Sequence, residues 1–335
     1  LGEPEVKDKE LVGITTTVPI EVIFAAGCQP VDLNNRFINS ERRGEYIALA
    51  EERGFPPTAC SWVKGIYAAV HDAGIHTVVG VIGSDCSDNR CLCEVLADEG
   101  IRVVPFSYPY DRDARALGTE IERLMEAFGT TPQMVEKWRR ALFPFRKLAG
   151  IVDELLWREG LVSATEANMA LLGATDFYPE PGFYRFFVEE IAASTHRRTP
   201  RLEGIRLGLV GVPPMIDDLL PFLEQHGARV VYLETPRQFA CIQPARDIVE
   251  QYHRFTYPYG IMARLEDISA QVEERGIQGI VHYVQSFCHR AIEGIVLRRH
   301  LVVPVLTLEG EKPGKMDGRT QTRLEAFLET LSSQV

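Results

Sequence analysis

Gly74-Ile-His-Thr-Val-Val-Gly-Val-Ile-Gly-Ser-Asp-Cys86 decides the fold. Its centre, Thr77–Ile82, is a short apolar and β-branched run bounded by glycines, which reads as a strand buried on both faces of a parallel sheet. A second stretch, Gly276-Ile-Gln-Gly-Ile-Val-His-Tyr-Val-Gln-Ser-Phe-Cys288, aligns with it without a gap, sharing both ends, Val79/Val281 and Ser84/Ser286. Each is followed by a helical stretch and then by Val-Val-Pro, at Val103–Pro105 and Val302–Pro304. Shared valines and glycines say little, because any two parallel strands have them. The coincident Ser-x-Cys at a strand end makes duplication of one α/β unit the better account.

Working outward, strands are expected at Leu11–Thr16, Val31–Asn34, Thr77–Ile82 and Arg102–Phe106, with helices at Pro19–Ala26, Ser61–Ala73 and about Ser87–Glu99. From about Asp111 to Ser194 the pattern turns to long helical periodicity, as in Thr131–Glu159 and Ser163–Leu172. Strand signals return at Ile205–Val210, Arg229–Leu233, Gly279–Val284 and Leu301–Val305, before a final helix from about Thr320. The expected fold is α/β: two Rossmann/flavodoxin-like domains with parallel sheets, residues 1–110 and 201–335, joined by a helical segment, residues 111–200. With 335 residues, 45% of them hydrophobic, the chain has material for two such cores.

A formal net charge of −11 disfavours nucleic acid and anionic membrane as partners, although Arg298, Arg299 and His300 form a local basic patch. That patch reads first as a solvated helix end. No run approaches the ~18 apolar residues of a membrane span, and the charged start is unlike a signal peptide, so a cytoplasmic protein is expected. With strand character beginning near Leu11, the abrupt start also raises the expectation of a further N-terminal segment. Signatures for self-contained nucleotide, serine-hydrolase or zincin chemistry (GxxxxGKS/T, GxGxxG after a strand, GxSxG, HExxH) do not occur.

The seven cysteines, Cys28, Cys60, Cys86, Cys91, Cys93, Cys241 and Cys288, are too dispersed and odd in number for a disulfide framework. Compact C-x2–4-C pairs, the usual structural zinc signature, are missing too. An iron–sulfur cluster fits better, since it takes soft thiolates from distant loops wherever a fold brings strand ends together. Against this stands the plain alternative that a free cysteine packs as a small buried hydrophobe. Cys28, Cys60, Cys86 and Cys288 depart from it by sitting beside Gly, Pro or polar residues at junctions between elements. Cys60 and Cys241 each follow the second strand of their half, which puts two cysteines per half at strand ends, where open α/β sheets bind ligands. Cys91 and Cys93 fall inside the helix opened near Cys86, and Cys93 returns closer to the same helix face. Core packing stays open for both.

These residues resemble the component family of 2-hydroxyacyl-CoA dehydratases and benzoyl-CoA reductases. The motifs are Pro19-Ile-Glu-Val-Ile-Phe-Ala-Ala-Gly27-Cys28, Thr58-Ala-Cys60, Gly83-Ser-Asp-Cys86-Ser, Phe287-Cys288-His289 and Thr322-Arg-Leu-Glu-Ala-Phe327. The resemblance covers roughly residues 12 to 330. It implies a [4Fe–4S] cluster between two α/β domains, held by cysteines in the positions of Cys28, Cys60 and Cys288. It also implies a separate ATP-hydrolysing [4Fe–4S] activator that delivers a low-potential electron. The extra cysteines are similar to those of the double-cubane cluster proteins of the family, in which six thiolates hold an [8Fe–9S] cluster. The preferred set is then Cys28, Cys60, Cys86, Cys93, Cys241 and Cys288, and the protein would be a homodimeric reductase of a small molecule. The alternatives are a heterodimeric 2-hydroxyacyl-CoA dehydratase subunit with one [4Fe–4S] cluster, acting on an acyl-CoA, and a non-enzymatic two-domain ligand-binding protein.

Six further side chains are candidates beside the cluster. Glu21 and His289 could act as acids, with a helix-start carboxylate and a surface histidine as the plain alternatives. Ser84 and Ser286 could bond a sulfur or a substrate, with a local turn bond as theirs. Tyr108 and Tyr110 could wall a pocket, with plain packing as the first reading of both.

Overall fold

A strand covered on both faces must be apolar on both, and the runs that meet this condition become two sheets. The computed structural model describes residues 9–84 and 86–333; the charged start, residues 1–8, lies outside them, as do residue 85 and residues 334–335. The first half runs β1 (Leu11–Ile14), α1 (Ile20–Ala25), β2 (Gln29–Asp32), α2 (Leu33–Ile38), α3 (Arg43–Glu52), α4 (Ser61–Asp72), β3 (Thr77–Gly83), α5 (Ser87–Asp98) and β4 (Arg102–Ser107). Four helices follow: α6 (Ala114–Ala127), α7 (Pro132–Glu154), α8 (Ala164–Gly173) and α9 (Pro181–Ser194). The second half runs β5 (Ile205–Gly211), α10 (Leu219–Gln225), β6 (Ala228–Leu233), α11 (Glu234–Phe239), α12 (Ile248–His253), α13 (Ile261–Glu274), β7 (Gly279–Gln285), α14 (Arg290–His300), β8 (Val305–Gly310) and α15 (Gly318–Ser332).

The sheets have the same topology, β2-β1-β3-β4 and β6-β5-β7-β8, with every pair parallel. The fold is therefore α/β with two Rossmann/flavodoxin-like units, and the matching order supports duplication. In each sheet the chain reverses its direction of travel between the first and third strands, which opens a crevice at the carboxyl ends of β1/β3 and of β5/β7. β6 and β7 are buried along their whole length. One continuous apolar core joins strand faces of both sheets to α7 and α8.

Two expected boundaries move for local reasons. β2 stops at Asp32, where Asn34 was expected to end it, because the Asp32 carboxylate accepts the backbone N–H of Asn34 at 2.9 Å and of Asn35 at 3.4 Å, capping α2. The last strand starts at Val305 instead of Leu301. Pro304 offers no N–H to the ladder, and Val302 is 91% exposed.

Polar ties, some buried and one exposed, hold the halves together. Glu21, at the start of α1, takes Arg146 of α7 at 2.9 Å, the Tyr252 hydroxyl at 2.7 Å and the Gln251 amide at 2.7 Å. Ser61 donates to the carbonyl of Glu311, and Arg43 forks onto Asp217 at 2.6 and 2.9 Å.

Candidate metal centre

Between the carboxyl edges of the two sheets lies a cleft of about 310 Å³, at the lower end of volumes that hold small molecules. Cys60, Cys86 and Cys288 all line it. Their positions follow from connectivity: β3 and β7 each end just before a cysteine, and α4 begins just after one.

Each of these thiols also stands at the start of a helix of eleven or twelve residues. Cys60 occupies the N-cap position of α4 without a capping hydrogen bond, and the nearby backbone N–H groups of Trp62 and Val63 favour its thiolate form. Cys86 caps α5, accepting the N–H of Asn89 at 3.4 Å. At the start of α14, the backbone N–H and the guanidinium of Arg290 both favour the Cys288 thiolate. Three positive helix ends thus converge on one cleft, an arrangement suited to an anionic group. Sequence alone marked two of the three.

As free thiols Cys60 and Cys288 are not nucleophiles poised by a low pKa. Burial pushes Cys60 up to about 11 against the opposing pull of its N–H donors, and burial likewise raises Cys288. They ionise when a metal takes the proton's place. Among the described residues no three His, Cys, Asp or Glu side chains converge on the position of a single metal ion. A cluster asks for something else, one thiolate on each of several irons around a space several Å across. Three soft thiols around a cleft, each at a helix N-terminus, fit that requirement.

The other expected ligands lie elsewhere. Cys28 precedes β2 at the amino end of the sheet, beside Glu10 and Arg102, and its thiol meets the Ala26 carbonyl at 3.9 Å. At ~3.3 Å per residue, β2 separates it from the cleft by about 10 Å or more. Cys93 is buried on the sheet side of α5, with its sulfur 2.3 Å from where a Cβ on Gly80 would stand. Cys91 is exposed. Cys241 lines a different cavity with Arg112 and Gln251, and burial pushes its thiol up to about 11. The six-thiol set is therefore not assembled around this cleft.

Of the expected acids, His289 lines the cleft beside Cys288, and desolvation followed by Arg290 lowers its pKa. Glu21 does not; it is fully buried in the tie to Arg146 and Tyr252. The Ser84 hydroxyl donates to the Tyr108 carbonyl at 2.7 Å, in a turn whose φ is 62°. Ser286 pairs its backbone N–H with Gly310. Neither serine lines the cleft. Tyr108 is core and Tyr110 is 86% exposed.

Sequence reading missed Asp32, Arg43, Trp62, Asp217 and Arg290 on the lining. Asp32 had a signal, a carboxylate at a strand end before a helix. Behind it lies Asp176, whose Oδ2 accepts the Asp32 N–H at 2.6 Å, and burial together with Asp32 lifts Asp176 to about 7.

Two parallel α/β units thus face each other across a cleft lined by three thiols. The chain belongs to the family described as 2-hydroxyglutaryl-CoA dehydratase, D-component, whose sequence pattern matches residues 15–331. That family consists of enzyme components and is known for iron–sulfur clusters. Comparison with the curated proteins gave no match. Among the described residues no helix is long and apolar enough to cross a membrane.

Proposed function

We propose that this chain is the cluster-bearing component of a 2-hydroxyacyl-CoA dehydratase, with one [4Fe–4S] cluster held by Cys60, Cys86 and Cys288. The observation that carries the reading is that three of the seven thiols line the cleft, each at a helix start. The double-cubane reductase asks for six thiolates, and Cys28, Cys91, Cys93 and Cys241 are placed away from the cleft. It takes second place.

When bound, the cluster supplies low-potential electron transfer, fed by a separate ATP-hydrolysing iron–sulfur activator. The protein's own share is electrostatic and steric. The N–H groups of Trp62, Val63, Asn89 and Arg290 favour the anionic thiolates. Trp62, Val63, Ile66, Leu220 and Phe239 keep the cleft apolar, which strengthens every charge interaction inside it. His289 is the lining side chain best placed to hold or pass a proton beside Cys288. A partner chain that completes an acyl-CoA pocket fits the family description, and a heterodimer is the matching assembly.

The test is iron and acid-labile sulfide per chain after strictly anaerobic purification. About four irons are expected, about eight would restore the double cubane, and none would remove both readings.

A further inference from the structure

The family description names a substrate with a second carboxylate, 2-hydroxyglutaryl-CoA. A carboxylate drawn into a cleft needs a cation that is not already committed, because desolvating it without one costs several kcal/mol. The lining residues do not offer one. Of the two arginines, Arg43 gives both forks of its guanidinium to Asp217 at 2.6 and 2.9 Å. Arg290 donates to the Tyr257 carbonyl at 2.9 Å and to Glu293 at 3.2 Å, with its guanidinium 4.0 Å from the Tyr257 ring centroid. His289 belongs to the thiol end of the cleft, next to Cys288. The remaining charge is Asp32, an anion.

The Arg43–Asp217 pair is the exposed one, with side chains 25% and 42% accessible, so it stands at the rim. It joins α3 of the first half to the segment after β5 of the second. Inward from it the wall is apolar, formed by Trp62, Val63, Ile66, Ile216 and Leu220.

Resting on the acyl-thioester reading above, we propose that the cleft selects an uncharged, apolar acyl group. Asp217, by occupying Arg43, is the specificity-determining residue that turns a second carboxylate away. Were Arg43 released, its fork would match a distal carboxylate in two parallel hydrogen bonds.

The test compares two CoA thioesters that lack the 2-hydroxyl and so are not turned over, hexanoyl-CoA and glutaryl-CoA. Both are titrated into the anaerobically purified holoprotein by calorimetry, with free CoA as the reference. They differ only in the acyl group, so their ratio reads the cleft. Hexanoyl-CoA is expected to bind at least about tenfold more tightly. In Asp217→Asn the ratio is expected to narrow by about tenfold, and in Arg43→Gln, which opens the same rim without supplying a cation, it is expected not to narrow.

Equal or tighter binding of glutaryl-CoA by the unaltered protein would overturn the proposal, as would an unchanged ratio in Asp217→Asn. Binding of neither thioester above free CoA would instead overturn the acyl-thioester reading, and this inference with it. The two failures are told apart by whether hexanoyl-CoA binds.

Discussion

A thiol in the first turn of a helix faces N–H donors and the positive end of a dipole, both of which favour its anionic form. Cys60, Cys86 and Cys288 share that setting, and substitution of any one by Ser is expected to take bound iron from about four atoms per chain to near background. Cys28→Ser and Cys91→Ser should leave it unchanged, as iron analysis after anaerobic reconstitution would show. The cysteines themselves were legible as candidates, but spacing does not reveal which end of a sheet a junction occupies. Cys28 follows a helix and precedes a strand, so it belongs at the amino end, opposite the cleft. Asp176 lay beyond sequence reading because its pKa depends on burial against Asp32, 144 positions away. Its folded value, about 7 against an ordinary 3.8, has a definite sign. Below about pH 4 both folded and unfolded chains hold the proton, and nothing is lost. Between about pH 4 and 7 the unfolded chain releases it first, so stability falls as pH rises. Asp176→Asn removes this slope and should gain on the unaltered protein by up to about 1.4 kcal/mol per pH unit across that window, measured by urea unfolding.

At the scale of elements, the strand runs that began the argument hold almost to the residue: Thr77–Ile82 becomes Thr77–Gly83, and Gly279–Val284 becomes Gly279–Gln285. They are legible because burial on both faces leaves a continuous apolar signal. The short helices α3, α10, α11 and α12 were not, since six to ten residues give little periodicity to read. The expectation that Cys93 joins the ligands rests on helix-face geometry. Its return toward the face of Cys86 was correct as spacing, but the side chain turns against β3, where Gly80 makes room for its sulfur. Gly80→Ala is accordingly expected to destabilise by about 1–3 kcal/mol through overpacking. Adding Cys93→Ala should recover most of that loss without lowering iron content. Thermal unfolding of the single and double variants checks the contact, and a loss of iron in Cys93→Ala would restore Cys93 to the ligand set.

On the scale of the whole molecule, the halves are locked by charges that no sequence pattern pairs, because the partners lie on three separate segments. Glu21 reads locally as a favourable helix-start carboxylate, yet it is fully buried and shared among Arg146, Gln251 and Tyr252. Arg146→Met should cost about 3–5 kcal/mol by leaving that carboxylate without a cation, and Arg146→Met with Glu21→Gln should cost much less. Chemical denaturation of the set measures the difference. The repeated strand order was foreshadowed by the aligned segments at 74–86 and 276–288, whereas the way the two cleft edges meet depends on packing through the helical segment. The distribution of the cleft thiols bears on biogenesis. Cys60 and Cys86 emerge from the ribosome about 200 residues before Cys288. On the proposed ligation, a nascent chain that has reached only the helical segment offers two thirds of the anchoring and no enclosure. Cofactor loading must then await the synthesis and closing of the second half, and a chain cut short before Cys288 yields a fragment with an incomplete ligand set.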